Sequence, residues 1–158
     1  MYKPLLKMDI KSSFLSCEKD YETIMRKLFV ESRPFSDILK RLLVIETKDC
    51  LDNLDSQIYK DKIDSMSVKD LIDKEYIRLS PIVKLPEHEE VKSYIIIGFD
   101  NFVTNSENPQ FRDCTVTFDI LCNMDYWDVG NYRSRPLKIC GYIDGILNNS
   151  RLSGIGTL

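Results

Sequence analysis

The stretch Asp113-Cys114-Thr115-Val116-Thr117-Phe118-Asp119-Ile120-Leu121-Cys122 alternates between two kinds of side chain. Cys114, Val116, Phe118, Ile120 and Cys122 take one set of positions; Asp113, Thr115, Thr117, Asp119 and Leu121 take the other. That period of two is the signature of an antiparallel strand with one face on the core and one in water. Upstream, Val91–Val103 is the strongest strand pattern, with Val91, Ile95, Ile97, Phe99 and Val103 on one face. Its other face holds Tyr94, Ile96, Gly98, Asp100 and Phe102, so both sides are expected to be partly covered. Between the two strands, Thr104-Asn105-Ser106-Glu107-Asn108-Pro109-Gln110-Phe111-Arg112 is rich in turn formers and predicts a hairpin loop longer than a hairpin needs. Asn105, Asn108 and Phe111 are its candidate contacts to another subunit.

Moving toward the C-terminus, Met124–Gly130 reads as a loop holding the one tryptophan, Trp127, beside Tyr126; both are candidate interface aromatics. From about Asn131 to Asn149 the period is helical, through Tyr132, Ile139, Tyr142, Ile143, Ile146 and Leu147, with Pro136 placing the regular start near Ser134. Gly141 and Gly145 weaken such a helix unless they permit close backbone packing. Leu152–Leu158 has room for one short strand and then stops abruptly, which suggests a last edge lost or lent elsewhere.

Toward the N-terminus, Tyr76–Val83 reads as an edge strand because Pro81 cannot donate to a central ladder. Before it the chain is helical in period. Phe14, Cys17, Tyr21, Ile24, Met25 and Leu28 form one stripe, and Pro34 interrupts it. Ser36 is placed to cap a second helix carrying Phe35, Ile38, Leu39, Leu42 and Leu43. A weaker third pattern follows Thr47 through Leu51, Leu54 and Ile58, the charged Tyr59–Ser65 reads as a solvated connection, and Ser67 with Asp70 resembles a capping arrangement. The expected fold is therefore α+β: a helical portion over 1–75, then over 76–158 an antiparallel sheet with a long β-hairpin and one helix packed across it, in the order α-β-β-β-α-β. The two portions are read as one compact unit.

Composition narrows the function. The 158 residues carry 22 Lys and Arg against 25 Asp and Glu, a net −3, which argues against a protein built to grip nucleic acid. No apolar run is long enough for a membrane span, and Met1–Asp9 meets a charge before a signal-peptide core could form, so neither is expected. Cys17, Cys50, Cys114, Cys122 and Cys140 form no C-x-x-C pair and are expected to be reduced; Cys114 and Cys122, which alternate with apolar residues, are expected to be buried thiols. The one histidine, His88, sits among acids in a turn-like segment. There is no phosphate-binding or nucleophile-elbow motif, and no cofactor is expected. The best enzymatic constellation is acidic: Asp113, Asp119, Asp125 and Asp128 with Asp100 could hold Mg²⁺ or Mn²⁺ for phosphodiester cleavage. No Lys or His is evidently positioned to move a proton for them, and a solvated strand face explains the same residues.

The blocks Tyr94-Ile95-Ile96-Ile97-Gly98-Phe99-Asp100, Arg112-Asp113-Cys114-Thr115-Val116-Thr117-Phe118-Asp119-Ile120, Gly130-Asn131-Tyr132-Arg133 and Ile139 to Asn148 resemble, in order and spacing, the tail-completion or tail-terminator family of tailed bacteriophages. The resemblance covers about Tyr76 to Leu158. The alanine-free sequence is also similar in style to proteins of crAss-like phages. The resemblance implies a structural protein without catalytic residues, in a homo-oligomeric ring of six or twelve copies at the virion neck. Such a ring would touch portal, adaptor or tail proteins, assemble in the host bacterial cytoplasm, and let DNA pass without specific binding. Asp100, Asp113 and Asp119 would then be channel-facing acids that repel phosphate, although strand-face acids also simply confer solubility. Two other classes stay open: a small acidic metal-dependent nuclease or phosphodiesterase, and a monomeric adaptor that binds one partner through the hairpin loop.

Overall fold

A computed structural model describes residues 13–52, 57–79, 92–108, 112–130, 133–148, 151–152 and 156–157. His88, Leu54, Val91, Phe111, Tyr132 and the 80–83 part of the expected edge strand lie outside the described residues.

The protein is α+β. Helix α1 (Ser13–Arg26) runs into a π-helical turn at Lys27–Glu31. Its stripe faces inward: Ile24, Met25 and Leu28 are buried, Cys17 and Tyr21 half-buried. The π turn spaces Ile24 and Phe29 five apart and brings both to the core, while Val30 stays half-exposed. Helix α2 (Phe35–Val44) is central, with Leu39, Leu42, Leu43 and Val44 fully buried. Ser36 does not cap it. Pro34 takes the N-cap position, and Ser36 lies inside the first turn, fully buried, its hydroxyl lacking a hydrogen-bond partner among the described residues.

The reading of the next segment changes in two ways. Lys48–Asp52 forms turns instead of a helix, and Ile58 is 78% exposed. The charged segment expected to be a solvated connection is instead helix α3 (Gln57–Asp64), held by Ile63 in the core. Its partner is α2, and a cation from each reaches across: Arg41 of α2 lies over the Tyr59 ring at 5.7 Å, and Lys62 Nζ of α3 donates to the Val44 carbonyl at the C-terminus of α2 (3.3 Å). Long aliphatic stems with charged tips make this possible, which a count of apolar residues does not register. Helix α4 (Val68–Asp73) starts on the capping box read from the sequence: Ser67 Oγ accepts from Asp70 N at 3.1 Å, and Ser67 N donates to Asp70 Oδ2 at 2.8 Å.

Strands β1 (Ile77–Arg78), β2 (Tyr94–Thr104) and β3 (Arg112–Leu121) form one sheet in that order. The β2–β3 pair is antiparallel, as the alternation requires, but β1 pairs parallel to β2, Ile77 facing Ile95. The sheet is thus mixed and not purely antiparallel. A 3₁₀ turn at Met124–Tyr126 leads to helix α5 (Arg135–Leu147), which begins beside Ser134 with Pro136 in its first turn, where a missing N–H costs nothing. The last segment forms two short strands, β4 (Arg151–Leu152) and β5 (Gly156–Thr157), paired with each other.

One apolar cluster joins α1, α2, α5 and the inner sheet face. Helix α1 covers β2: the Tyr21 hydroxyl donates to the Ile97 carbonyl (3.0 Å), and its ring meets Phe99 edge-on at 4.6 Å. Gly130, at φ +65°, donates to the Lys48 carbonyl, and a Cβ there would stand 3.2 Å from the Asp52 carboxylate. Only glycine meets both demands easily.

Candidate functional site

The candidate site residues fall on three parts of the surface: the β2–β3 hairpin, the Met124–Asp128 turn, and α5.

In the hairpin, residues directly opposite one another share a face. The register pairs Ile96 with Asp119, Gly98 with Thr117 and Asp100 with Thr115. Farther out, one extra residue on β2 makes a bulge between Asp100 and Val103, after which Val103 pairs with Asp113. Asn101 takes the left-handed conformation there (φ 53°), and its N–H donates to Asp100 Oδ1 at 2.7 Å. Asparagine tolerates that conformation better than most residues. The bulge inverts the expected parity. Val103 was expected on the core face but is 61% exposed, and Phe102 is half-buried instead, because one inserted residue moves every later side chain to the other face.

Asp100, Asp113 and Asp119 nevertheless all stand on the same, outer face of the hairpin, because Asp100 precedes the bulge and β3 alternates without a break, and all three are exposed. Asp113 and Asp119 are six residues apart on one strand, about 20 Å at roughly 3.3 Å per residue. Thr115 and Thr117 lie between them. The Thr117 hydroxyl would sit only 2.9 Å from a Cβ at position 98, which explains glycine there.

The inner face is different. Val116, Phe118 and Ile120 are half-buried and, with Ile143 and Leu147 of α5, line a groove of about 450 Å³. Cys114 and Cys140 stand in its wall and are exposed, for Cys114 contrary to the expected burial, while Cys122 is half-buried; of the five, Cys50 alone is fully enclosed. Burial pushes the Cys50, Cys114, Cys122 and Cys17 thiols above their ordinary range, so none is activated as a nucleophile.

At the hairpin tip, Asn105 Oδ1 accepts the backbone N–H groups of Glu107 (2.9 Å) and Asn108 (3.0 Å). Its side chain therefore builds the turn and is half-buried; Asn108 is exposed. In the second region, Met124 is 78% and Trp127 40% exposed, while Tyr126 is half-buried. Asn123 caps this turn by accepting from Asp125 N at 3.0 Å.

What fixes that turn was not apparent from the sequence: Arg135, 1% exposed in the first turn of α5. Its Nε donates to the Tyr126 carbonyl (2.7 Å), and its two terminal nitrogens donate to Leu42, Ile45 (3.0 Å) and Thr47 (2.7 Å). The guanidinium fork thus ties the exposed turn to the C-terminal end of α2, whose carbonyls carry partial negative charge. A signal did exist, since a cation in the first turn of a helix opposes that helix's own dipole and so needs another reason to be there.

On the side of α5 away from β3, Arg133, Ser134, Leu137, Lys138, Gly141 and Tyr142 line an open depression of about 590 Å³. Leu137 is 72% exposed, and Phe35 from α2 touches the Tyr142 ring at 6.1 Å between centroids. A Cβ at Gly141 or Gly145 would meet nothing within 4 Å among the described residues, so no close packing against a described residue accounts for these glycines.

Asp125 and Asp128 stay in their turn, and among the described residues no three His, Cys, Asp or Glu side chains gather where a metal ion could be held.

The fold and its surface define an α+β protein with an acid-faced hairpin arm, a polar knot beneath a turn, and an open helix face. The chain belongs to the YomW family, whose model matches residues 36–158. That family takes its name from a gene of an SPbeta-like Bacillus phage, and the match marks the chain as phage-associated. No curated protein and no solved structure gives a significant match.

Proposed function

We propose that this phage-associated protein is a structural virion component that closes a ring at the head–tail neck. It would act there as a tail-completion, tail-terminator or connector protein that joins or seals the DNA channel. The observation that carries the reading is the hairpin arm, whose exposed outer face lines up Asp100, Asp113 and Asp119. Such a row of like charges is built to meet or to repel a large surface, whereas a reaction centre would draw its acids together around a ligand. The ring would touch portal, adaptor or tail proteins, need no cofactor, and assemble in the host cytoplasm before residing in the virion.

Two stations in a ring suit the acid face. Turned to the channel, it repels phosphate and keeps duplex DNA sliding. Turned to a neighbouring copy, it selects the surface it docks on.

Native mass spectrometry of the full chain over a concentration series tests the reading. A closed oligomer of six or twelve copies is the expected result; a monomer at every concentration overturns it. A parallel magnesium titration guards the alternative. Thermal stabilisation by Mg²⁺ that vanishes in Asp125→Asn and Asp128→Asn would replace the ring with a metal-dependent phosphodiesterase.

A further inference from the structure

We infer that copies of this chain join head to tail, the acidic outer face of one hairpin arm seating on the open α5 depression of the next copy. The inference rests on the ring reading and names the interface within it.

Three observations carry it. The first is charge complementarity. The arm's outer face holds Asp100, Asp113 and Asp119, and the depression is lined by Arg133 and Lys138 with no acid among its described lining residues. The second is apolar content on both surfaces. Val103 is 61% and Leu121 40% exposed on the arm's outer face, and Leu137 and Phe35 are 72% and 52% exposed at the depression. A channel lining gains nothing from exposed valine and leucine, whereas an interface core does. The third is placement. Helix α5 lines its groove with Val116, Phe118 and Ile120, which belong to the inner sheet face. The acids stand on the opposite side of the same sheet, so the arm cannot turn its acid face onto its own α5.

Two different surfaces that complement each other make a heterologous contact, which closes into a ring or propagates as an open filament. Gly141 and Gly145 fit this arrangement. They leave the outer side of α5 low, and no described residue comes within 4 Å of a Cβ at either position.

The test uses the full-length chain and two charge reversals, Asp113→Lys/Asp119→Lys on the arm and Arg133→Glu/Lys138→Glu on the depression. Both sit on exposed or half-exposed positions, and circular dichroism melts check that each variant folds. Sedimentation velocity and native mass spectrometry read the assembly state. The wild type should form oligomers, and each variant alone should be weakened about 100-fold or more, because like charges then face each other. In an equimolar mixture of the two variants both junctions are complementary again, the reversed arm on the reversed depression and the native arm on the native depression, so oligomers of alternating variants should form. A chain carrying all four reversals should regain the wild-type size.

If the wild type assembles and both variants assemble equally well, the interface is wrong and the ring reading stands. If the arm variant assembles normally and also retains a fluorescent DNA duplex that the wild type releases, the acids line the channel and this proposal falls. A wild type that stays monomeric throughout overturns both.

Discussion

The knot around Arg135 and the β2–β3 arm place their polar groups in opposite ways. In the knot, one guanidinium is buried and its donors meet four backbone carbonyls from two segments far apart in sequence, Leu42 to Thr47 and Tyr126. In the arm, three carboxylates stand in water, and the polar contacts that shape it are local: Asn101 to Asp100 at the bulge and Asn105 to the tip. A buried polar group must be satisfied, so the knot fixes where α2, the Met124–Asp128 turn and α5 sit relative to one another. An exposed one is already satisfied by water, so the arm's acids remain available to a partner. Stability and recognition are thereby assigned to separate regions, and each can be broken without the other.

The largest break is at the knot. Arg135→Met removes the donors and leaves the buried carbonyls of Leu42 and Ile45 and the part-buried ones of Thr47 and Tyr126 without them, which should cost about 3–5 kcal/mol in urea unfolding. Arg135→Lys should recover little of this, since an ammonium cannot reproduce the planar fork. If either variant unfolds at the wild-type urea midpoint, the knot does not hold the fold. An intermediate effect is expected at the α4 cap, where Ser67→Ala should cost about 1 kcal/mol. There the Ser67 hydroxyl and N–H hold the Asp70 carboxyl below the usual aspartate range. A depressed carboxyl contributes stability above its unfolded pKa, and that contribution is lost as pH falls through the folded value. The gap between wild type and Ser67→Ala should therefore narrow on acidification toward pH 3. A gap that stays constant with pH would mean the cap acts through the hydroxyl alone.

The same contrast explains what could be read from the sequence. The hairpin strands, α1, α5 and the Ser67 capping box were legible because each is a local pattern: a period of two, a period of 3.6, or residues three apart. The acids' shared face followed from the same alternation. Elements fixed by distant partners were not legible. Helix α3 looks like a charged connection until Arg41 and the carbonyl end of α2 are beside it. The parallel pairing of β1 depends on how the chain returns, which no local period encodes. The bulge at Asn101 adds one residue and so inverts a parity the alternation had set correctly up to Asp100. Ser36 has the composition of a cap, but Pro34 opens the helix two residues earlier. The α5 depression is not legible because its lining joins residues spaced around a helix end with an aromatic contact from α2, and Gly141 within it reads as weakness instead of space.

The smallest effect is expected where the arm meets water, and it separates the two regions most sharply. Asp119→Asn removes one exposed charge from a row of three without changing its shape. Surface changes of this kind stay within about ±0.5 kcal/mol, and relief of repulsion along the row should make the sign slightly favourable at low salt. The melting temperature is then expected to move by less than a degree or two, and still less at high salt, where the row is screened. Assembly should respond instead, weakening measurably for a single neutralised acid and further for Asp113→Asn added to it. A loss of stability at Asp119 comparable with that at Arg135 would mean that the arm's charges are tied into the fold after all. Their row on the outer face would then be a structural device and could not serve as the recognition surface.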